Sequence, residues 1–340
     1  CTFYPRKNML IEHQHPSNKS IMVSVLGAPN VGKSSFVNNL MGFDLSVVTN
    51  KPQTTRNKFH CVINIDHTEI ILVDTPGVHV NKKEINKRMN EQAKEGVQGT
   101  DINLLLIDLS KEIFKQFIEF KDIMKTDLNR TWVVFTKTDK VEDFEKLPLD
   151  EVVEKAKTLL PSIEKFFSIS SKTGDNIHLI TGALCDEAQS GPHLYTDGAV
   201  SNKSERFFVA EYIREQAFSI LKEELPYEIA VTVEEFMDNR KKGFSKGAAE
   251  RTIKPSIASM ISASILVNRA SQRAIVVGSK GSVIKEIGTR ARKKIESMVG
   301  GQVHLNLHVK VSPNWFKNNF VLEELGLPRA TDSSRVWRKK

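Results

Sequence analysis

The sequence predicts two domains: an α/β domain on a mostly parallel sheet with helices on both faces, then a smaller α+β domain. Three observations carry this. Short apolar, β-branched runs alternate with segments of helical period through about residue 187. The 340 residues are about two domains' worth. The charge is also divided: residues 1–200 hold 24 Lys and Arg against 26 Asp and Glu, and residues 201–340 hold 25 against 15. The formal net charge of +8 therefore lies in the second part, which suits a polyanion partner, nucleic acid or membrane surface. A solvated basic face with no partner has the same composition.

In order along the chain, residues 1–20 are polar, without the apolar core of a secretory signal, and read as a flexible leader; a transit-peptide remnant stays open. Ile21–Leu26 is a buried strand ending in Gly27. Lys33–Met41 is a helix stopped by Gly42. Lys58–Asp66 and Glu69–Val73 form a hairpin, and Ile102–Asp108, Trp132–Phe135 and Phe166–Ile169 are further strands. This domain is expected over 21–187. Residues 188–204, with Gly191, Pro192 and Gly198 among polar residues, read as a linker.

The second domain is expected over 205–317, with a helix at Glu205–Leu225. Strands are expected at Tyr227–Phe236, Ile265–Arg269, Ala274–Val277 and Val303–Val311, and a basic helix at Ile284–Met298. Residues 318–340 read as a basic tail. No apolar run is long enough to span a bilayer. Cys1, Cys61 and Cys185 form no C-x-x-C pair, which argues against a disulfide framework or zinc site and suits a reducing compartment.

Gly27-Ala-Pro-Asn-Val-Gly32-Lys33-Ser34 fits G-x-x-x-x-G-K-[ST] between strand and helix. Backbone N–H groups of such a loop wrap phosphates, and the helix N-terminus adds positive potential. Asn30, Val31, Gly32, Lys33, Ser34 and Ser35 are the candidate contacts. Lys33 would reach the β/γ-phosphates and Ser34 would ligate Mg²⁺. Asp74-Thr75-Pro76-Gly77 closes the second hairpin strand, with Asp74 as a metal holder and the Gly77 N–H as a γ-phosphate sensor. Thr136-Lys137-Thr138-Asp139 resembles the base-reading motif of GTPases, usually Asn-Lys-x-Asp: the Asp139 carboxylate could accept from guanine N1–H and the 2-amino group, which adenine lacks as a pair. Lys137 would lay its stem along the base. Ser170-Ser171-Lys172 would offer N–H groups to O6.

From about Ile21 to Trp315 the chain resembles the Era-type GTPases. GAPNVGKS, KPQTTR, DTPG, TKTD and SSK occur in order, followed by SERFFVAEYIRE, ELPYEIAVTVEEF and the run from Ile275 to Val311. The resemblance implies an α/β P-loop GTPase domain followed by an α+β type II KH domain. It places the first switch at 51–56 and makes Thr55, with Thr54 as the confusable neighbour, a ligand of Mg²⁺ in the GTP state. Thr136 stands where Asn is usual: its hydroxyl can bond to the loop but reads N7 less well. Val78 stands where Ras-like enzymes carry the water-orienting glutamine, so slow intrinsic turnover is expected. Related enzymes use a potassium ion coordinated in part by the loop asparagine, here Asn30; a purely loop-stabilising Asn30 is the equal alternative.

Residues 237–317 hold 16 Lys and Arg against 4 Asp and Glu, and include Gly278-Ser279-Lys280-Gly281. A basic G-x-x-G loop, expected here between a strand and a helix, clamps single-stranded backbone. With these four residues, Arg292 and Lys293 are the RNA candidates among the run Arg290, Arg292, Lys293 and Lys294. Residues 239–264 are longer than the family pattern and read either as an extra RNA-contacting loop or as an insertion with no role, the second being slightly favoured. The resemblance implies a GTP/GDP switch that binds the 3′ end of small-subunit rRNA and the small ribosomal subunit, in bacterial cytoplasm or an organelle matrix, and it leaves room for peripheral membrane contact. An RNA chaperone with a vestigial nucleotide site is the alternative.

Overall fold

The computed structural model describes residues 15–49, 51, 55–78, 84–125, 128–143, 147–196, 198–239 and 259–327. Contacts group them into two units, one ending at Lys203 and one beginning at Ser204.

The first unit runs β1 (Lys19–Gly27), α1 (Lys33–Met41), β2 (Phe59–Ile65), β3 (Thr68–Asp74), α2 (Glu84–Glu95), β4 (Ile102–Asp108), α3 (Ile113–Met124), β5 (Thr131–Thr136), α4 (Leu149–Leu159), β6 (Ile163–Ser168), α5 (Ile177–Glu187) and β7 (Gln189–Ser190). The sheet order is β2-β3-β1-β4-β5-β6, with β7 on β1. β3, β1, β4, β5 and β6 are parallel, and β2 is antiparallel to β3. All seven residues of β3 and of β4 are buried, as strands covered on both faces must be. Phe117 and Phe120 of α3 and Ala156 of α4 pack with Leu105, Val133 and Phe135 in one core cluster.

Lys19 and Ser20, read from sequence as leader, instead open β1. Phe166–Ile169 proves to be the end of a strand that starts at Ile163. The linker reading needs a larger correction, because the segment is fastened down. β7 pairs with β1, and the Glu69 carboxylate accepts from the backbone N–H of Leu194 (2.7 Å) and Tyr195 (3.0 Å). Tyr195 Oη lies 2.6 Å from His60 Nδ1, Val62 N–H donates to Val200 O (3.0 Å), and Ser201 Oγ donates to His60 O (2.6 Å). The cause is geometric: β2 is the sheet edge, and its outward backbone groups need partners that an extended polar segment supplies.

The second unit runs α6 (Glu205–Ile220), β8 (Ala230–Asp238), β9 (Ser259–Val267), α7 (Ala270–Val277), α8 (Ser282–Val299), β10 (Val303–Val311) and α9 (Asn319–Glu324). Its sheet order is β10-β9-β8, with β9 parallel to β10 and antiparallel to β8. The helix-first order is that of a type II KH domain.

Ala274–Val277, predicted as a strand, is the last turn of α7. A four-residue apolar run carries no period of its own. Here the Gln272 side chain accepts from Asn268 N–H and Arg269 N–H to start a helix, and Gly278 N–H donates to Ala274 O to end it. Within that run Val276 is buried while Ile275 is exposed. The G-x-x-G loop therefore joins two helices. Of the predicted insertion, 240–258 lies outside the described residues, and 259–264 is the first part of β9. The tail reading is also shortened. The Asn318 side chain accepts from Phe320 N–H and Val321 N–H to cap α9, and Leu322 and Leu327 are buried.

Candidate nucleotide site and RNA groove

The C-terminal ends of β1, β3, β4 and β5 open onto one cleft of about 590 Å³. Ligands bind at this edge of a parallel sheet, where neighbouring crossovers diverge. The loop after β1 is shaped by left-handed residues: Asn30 has φ 61°, and Gly32, at φ 107°, caps α1 without a side-chain acceptor, so the helix N–H groups face the cleft. Lys33 is buried, and its Nζ donates to Gly27 O (3.0 Å) and Ala28 O (2.9 Å). Burial pushes its pKa down to about 8, partly opposed by the Asp74 carboxylate.

Ser34 Oγ and Thr55 Oγ1 are 3.1 Å apart, and Thr55 is buried. Thr54 lies outside the described residues. Asp74 is fully buried, and its Oδ2 accepts from Ser46 Oγ (2.7 Å). Two hydroxyls and a carboxylate form an all-oxygen set, the kind magnesium takes. The Asp74–Gly77 segment crosses hard against the loop: a Cβ on Gly77 would lie 2.9 Å from Pro29 Cα. Val78 points into the core cluster, with its N–H on Gly27 O.

On the base side, Thr136 is buried and its hydroxyl donates to Val31 O (2.7 Å), with Ile107 O at 3.2 Å. The substitution of Thr for Asn keeps the tie to the loop and directs the one hydroxyl proton inward. Lys137 Nζ bridges Asn30 O (2.7 Å) and Asp108 Oδ2 (2.5 Å). Burial pushes the Asp108 carboxyl up, but its hydrogen bonds from Lys137 and Ser110 outweigh this and hold it below the usual range. Asp139 is exposed and accepts from Ser170 Oγ (2.7 Å). Ser170 N–H donates to Asp175 O and Lys172 N–H to Ser170 Oγ, so the Ser170-Ser171-Lys172 turn braces Asp139. Ser35 lines the cleft, and Val31 is buried beneath it.

In the second unit Gly278 has φ 74°, and a Cβ there would lie 2.9 Å from Val283 N and closer still to its side chain. Lys280 (φ 48°) and Gly281 (φ 77°) are also left-handed, which turns the loop into the N-terminus of α8. Beside it runs a groove of about 250 Å³, floored by Leu305 and Leu307 and walled by α8 residues including Lys285, Gly288 and Arg292. Lys293, one residue and about 100° of helix on from Arg292, is off that wall. Lys294 is committed to Glu215 of α6 (2.8 Å) and Arg290 to Glu286. The sequence reading missed Asp108, Ser110 and Lys111 in the cleft, and Lys285 and Gly288 in the groove. Asp108 had a signal, since it ends a buried strand at the ligand-bearing edge of the sheet.

The family described as 50S ribosome-binding GTPase matches residues 22–137, and the family described as KH domain matches 224–316. GTPase Era of Trichlorobacter lovleyi is 35% identical over 308 residues, 91% of this chain and 97% of that protein. The chain belongs to the Era family of GTPases. Era of Thermotoga petrophila is 34% identical over 312 residues, 92% of this chain and 98% of that one. Among solved structures, Era in complex with MgGDPNP and nucleotides 1506–1542 of 16S ribosomal RNA has a TM-score of 0.81 at 30% identity, covering 92% of this chain and 99% of that one. A variant of Aquifex aeolicus Era bound to GDP·AlF4⁻ has a TM-score of 0.80 at 30% identity, covering 91% and 99%. As an Era-family member the chain binds guanine nucleotide and hydrolyses GTP to GDP and phosphate, and its second unit is an RNA-binding KH domain. Among the described residues no helix is long and apolar enough to cross a membrane.

Proposed function

We propose that this GTPase binds the 3′ end of small-subunit rRNA in its GTP state, assists small-subunit assembly, and leaves when GTP is hydrolysed. One observation carries the reading: a G-x-x-G loop and an adjoining groove stand on a chain that matches, over 92% of its length, an Era complexed with that rRNA segment. Full-length protein with GDPNP should sediment with immature small subunits, and with GDP it should stay largely unbound. Equal binding with both nucleotides rejects the switch, and no binding with either rejects the partner.

In this reading Lys33 and the N–H groups of the loop hold the phosphates, and Asp139 selects guanine. Ser34 and Thr55 hold Mg²⁺ with Asp74 behind them, the metal supplying charge neutralisation to the transferring phosphoryl group. The Ser34–Thr55 contact favours Thr55 over its neighbour. Gly77, packed on Pro29, couples the γ-phosphate to the second switch. Because Val78 is in the core, no side chain there orients water, and we propose potassium at Asn30 as the substitute. GTP turnover should be several-fold faster in KCl than in NaCl at equal ionic strength, and the difference should shrink in Asn30→Ala. Equal wild-type rates in the two salts would exclude the ion.

A further inference from the structure

Asp108 is the last residue of β4, fully buried, and held from every side. Its backbone N–H donates to Gln116 Oε1 (3.0 Å) and its carbonyl accepts from Gln116 Nε2 (2.9 Å). Its Oδ1 accepts from Ser110 N–H (3.0 Å) and Ser110 Oγ (2.6 Å). That leaves Oδ2, which faces the cleft and takes the Lys137 ammonium at 2.5 Å, with Lys111 Nζ farther off at 3.7 Å. Lys137 itself leaves the chain in a left-handed conformation, φ 63°, and its Nζ also reaches Asn30 O of the phosphate loop. The ammonium is thus fixed between the end of β4 and the loop, and the Lys137 side chain lines the cleft.

We propose that Asp108 is a positioning residue for guanine nucleotide: its carboxylate locks the Lys137 side chain as a preformed platform for the base. A free lysine side chain surrenders rotamer entropy when it is ordered. An anchor already in place removes that cost from the binding step, which is how preorganisation raises affinity. A carboxylate serves better than an amide because hydrogen bonds to charged partners are about twice as strong. In this proposal Asp108 acts on the nucleotide through Lys137. The inference rests on the base-side role proposed for Lys137 and adds what holds that residue.

The test is a double-mutant cycle on the full-length chain, reading Kd for GDP and GTP in wild type, Asp108→Asn, Lys137→Met and the double variant. Asp108→Asn keeps the side-chain shape and the acceptor for Ser110. We expect each single change to weaken both nucleotides about tenfold, and the double variant to bind within twofold of the weaker single. A merely structural Asp108 gives effects that multiply, and that result overturns the proposal, as does a loss in Asp108→Asn of twofold or less. An unchanged Kd in Lys137→Met would reject the reading of Lys137 itself, a separate failure. Inosine diphosphate, which lacks the 2-amino group, provides a second readout. The GDP-to-IDP affinity ratio reports the Asp139 contact and should be the same in wild type and Asp108→Asn; a collapsed ratio means the whole base loop has moved and overturns the platform. If Asp108→Asn does not fold, Asp108→Ser takes its place in the same cycle.

Discussion

Lys33→Met should raise the Kd for GDP and GTP at least a thousandfold at pH 7, about 4 kcal/mol, while the nucleotide-free protein stays folded. Among the described residues the buried ammonium donates to the neutral carbonyls of Gly27 and Ala28, and phosphate oxygens would be stronger, charged acceptors. The pH dependence is the sharper signature. Burial lowers Lys33 to about 8 against an ordinary 10.5. Between those values the unfolded chain holds a proton that the folded chain does not. Stability of the nucleotide-free protein should therefore rise with pH across that window and be lost as pH falls through 8. The full difference is on the order of 3 kcal/mol.

Binding runs the other way. Phosphate favours the charged amine, so above pH 8 nucleotide binding takes up a proton and affinity falls, approaching tenfold per unit. Calorimetric titration with GDP and thermal melts at pH 7, 8 and 9 should show both trends in wild type and neither in Lys33→Met. Parallel profiles for the two proteins would mean that Lys33 is not the group responsible.

Replacing Ser279 and Lys280 together by Asp should weaken binding of a single-stranded RNA from the small-subunit rRNA 3′ end at least thirtyfold, about 2 kcal/mol. The change removes one positive charge and adds two negative ones where the backbone must approach. Both glycines remain, and Asp tolerates the left-handed conformation that Lys280 adopts at φ 48°. Folding should survive, whereas Gly278→Ala would drive a Cβ against Val283 N. GTP binding should be unaffected. Removing charge at Arg292 on the groove wall should instead weaken all RNAs alike and flatten the salt dependence. Fluorescence titration against the tail and a scrambled control across salt separates the two effects. A loop variant that binds the tail as wild type does would disprove the KH reading.

The phosphate loop was legible because its chemistry is local: the glycines, Lys33 and Ser34 sit in eight consecutive residues, and α1 spans Lys33–Met41 as its spacing predicts. Most of what escaped was settled by partners far away in sequence. Asp108 acquires meaning only when β4 and β5 lie side by side and bring Lys137 to it from 29 residues on. The run of four basic residues on α8 sorts into groove, helix surface and α6 contact only once the helix is seated and Glu215 has claimed Lys294. Ala274–Val277 is too short to show a period, and the choice fell to Gln272 and Gly278 at its flanks.

The strapping of residues 189–196 and 198–202 across β1 and β2 decides where this chain can be cut. Composition invites a scission near residue 188, between a helix and a glycine-bearing stretch. A fragment ending there would lose the strand on β1, both N–H donors to Glu69 and the cover over Val62 and His60. It would carry a bare sheet margin able to recruit any passing strand, and so would tend to precipitate. Proteases should also find the segment a poor substrate, since its backbone is engaged at Val200 and its side chains at Tyr195 and Ser201. A nucleotide-binding fragment meant for biochemistry should end after Lys203, carrying the strap with it.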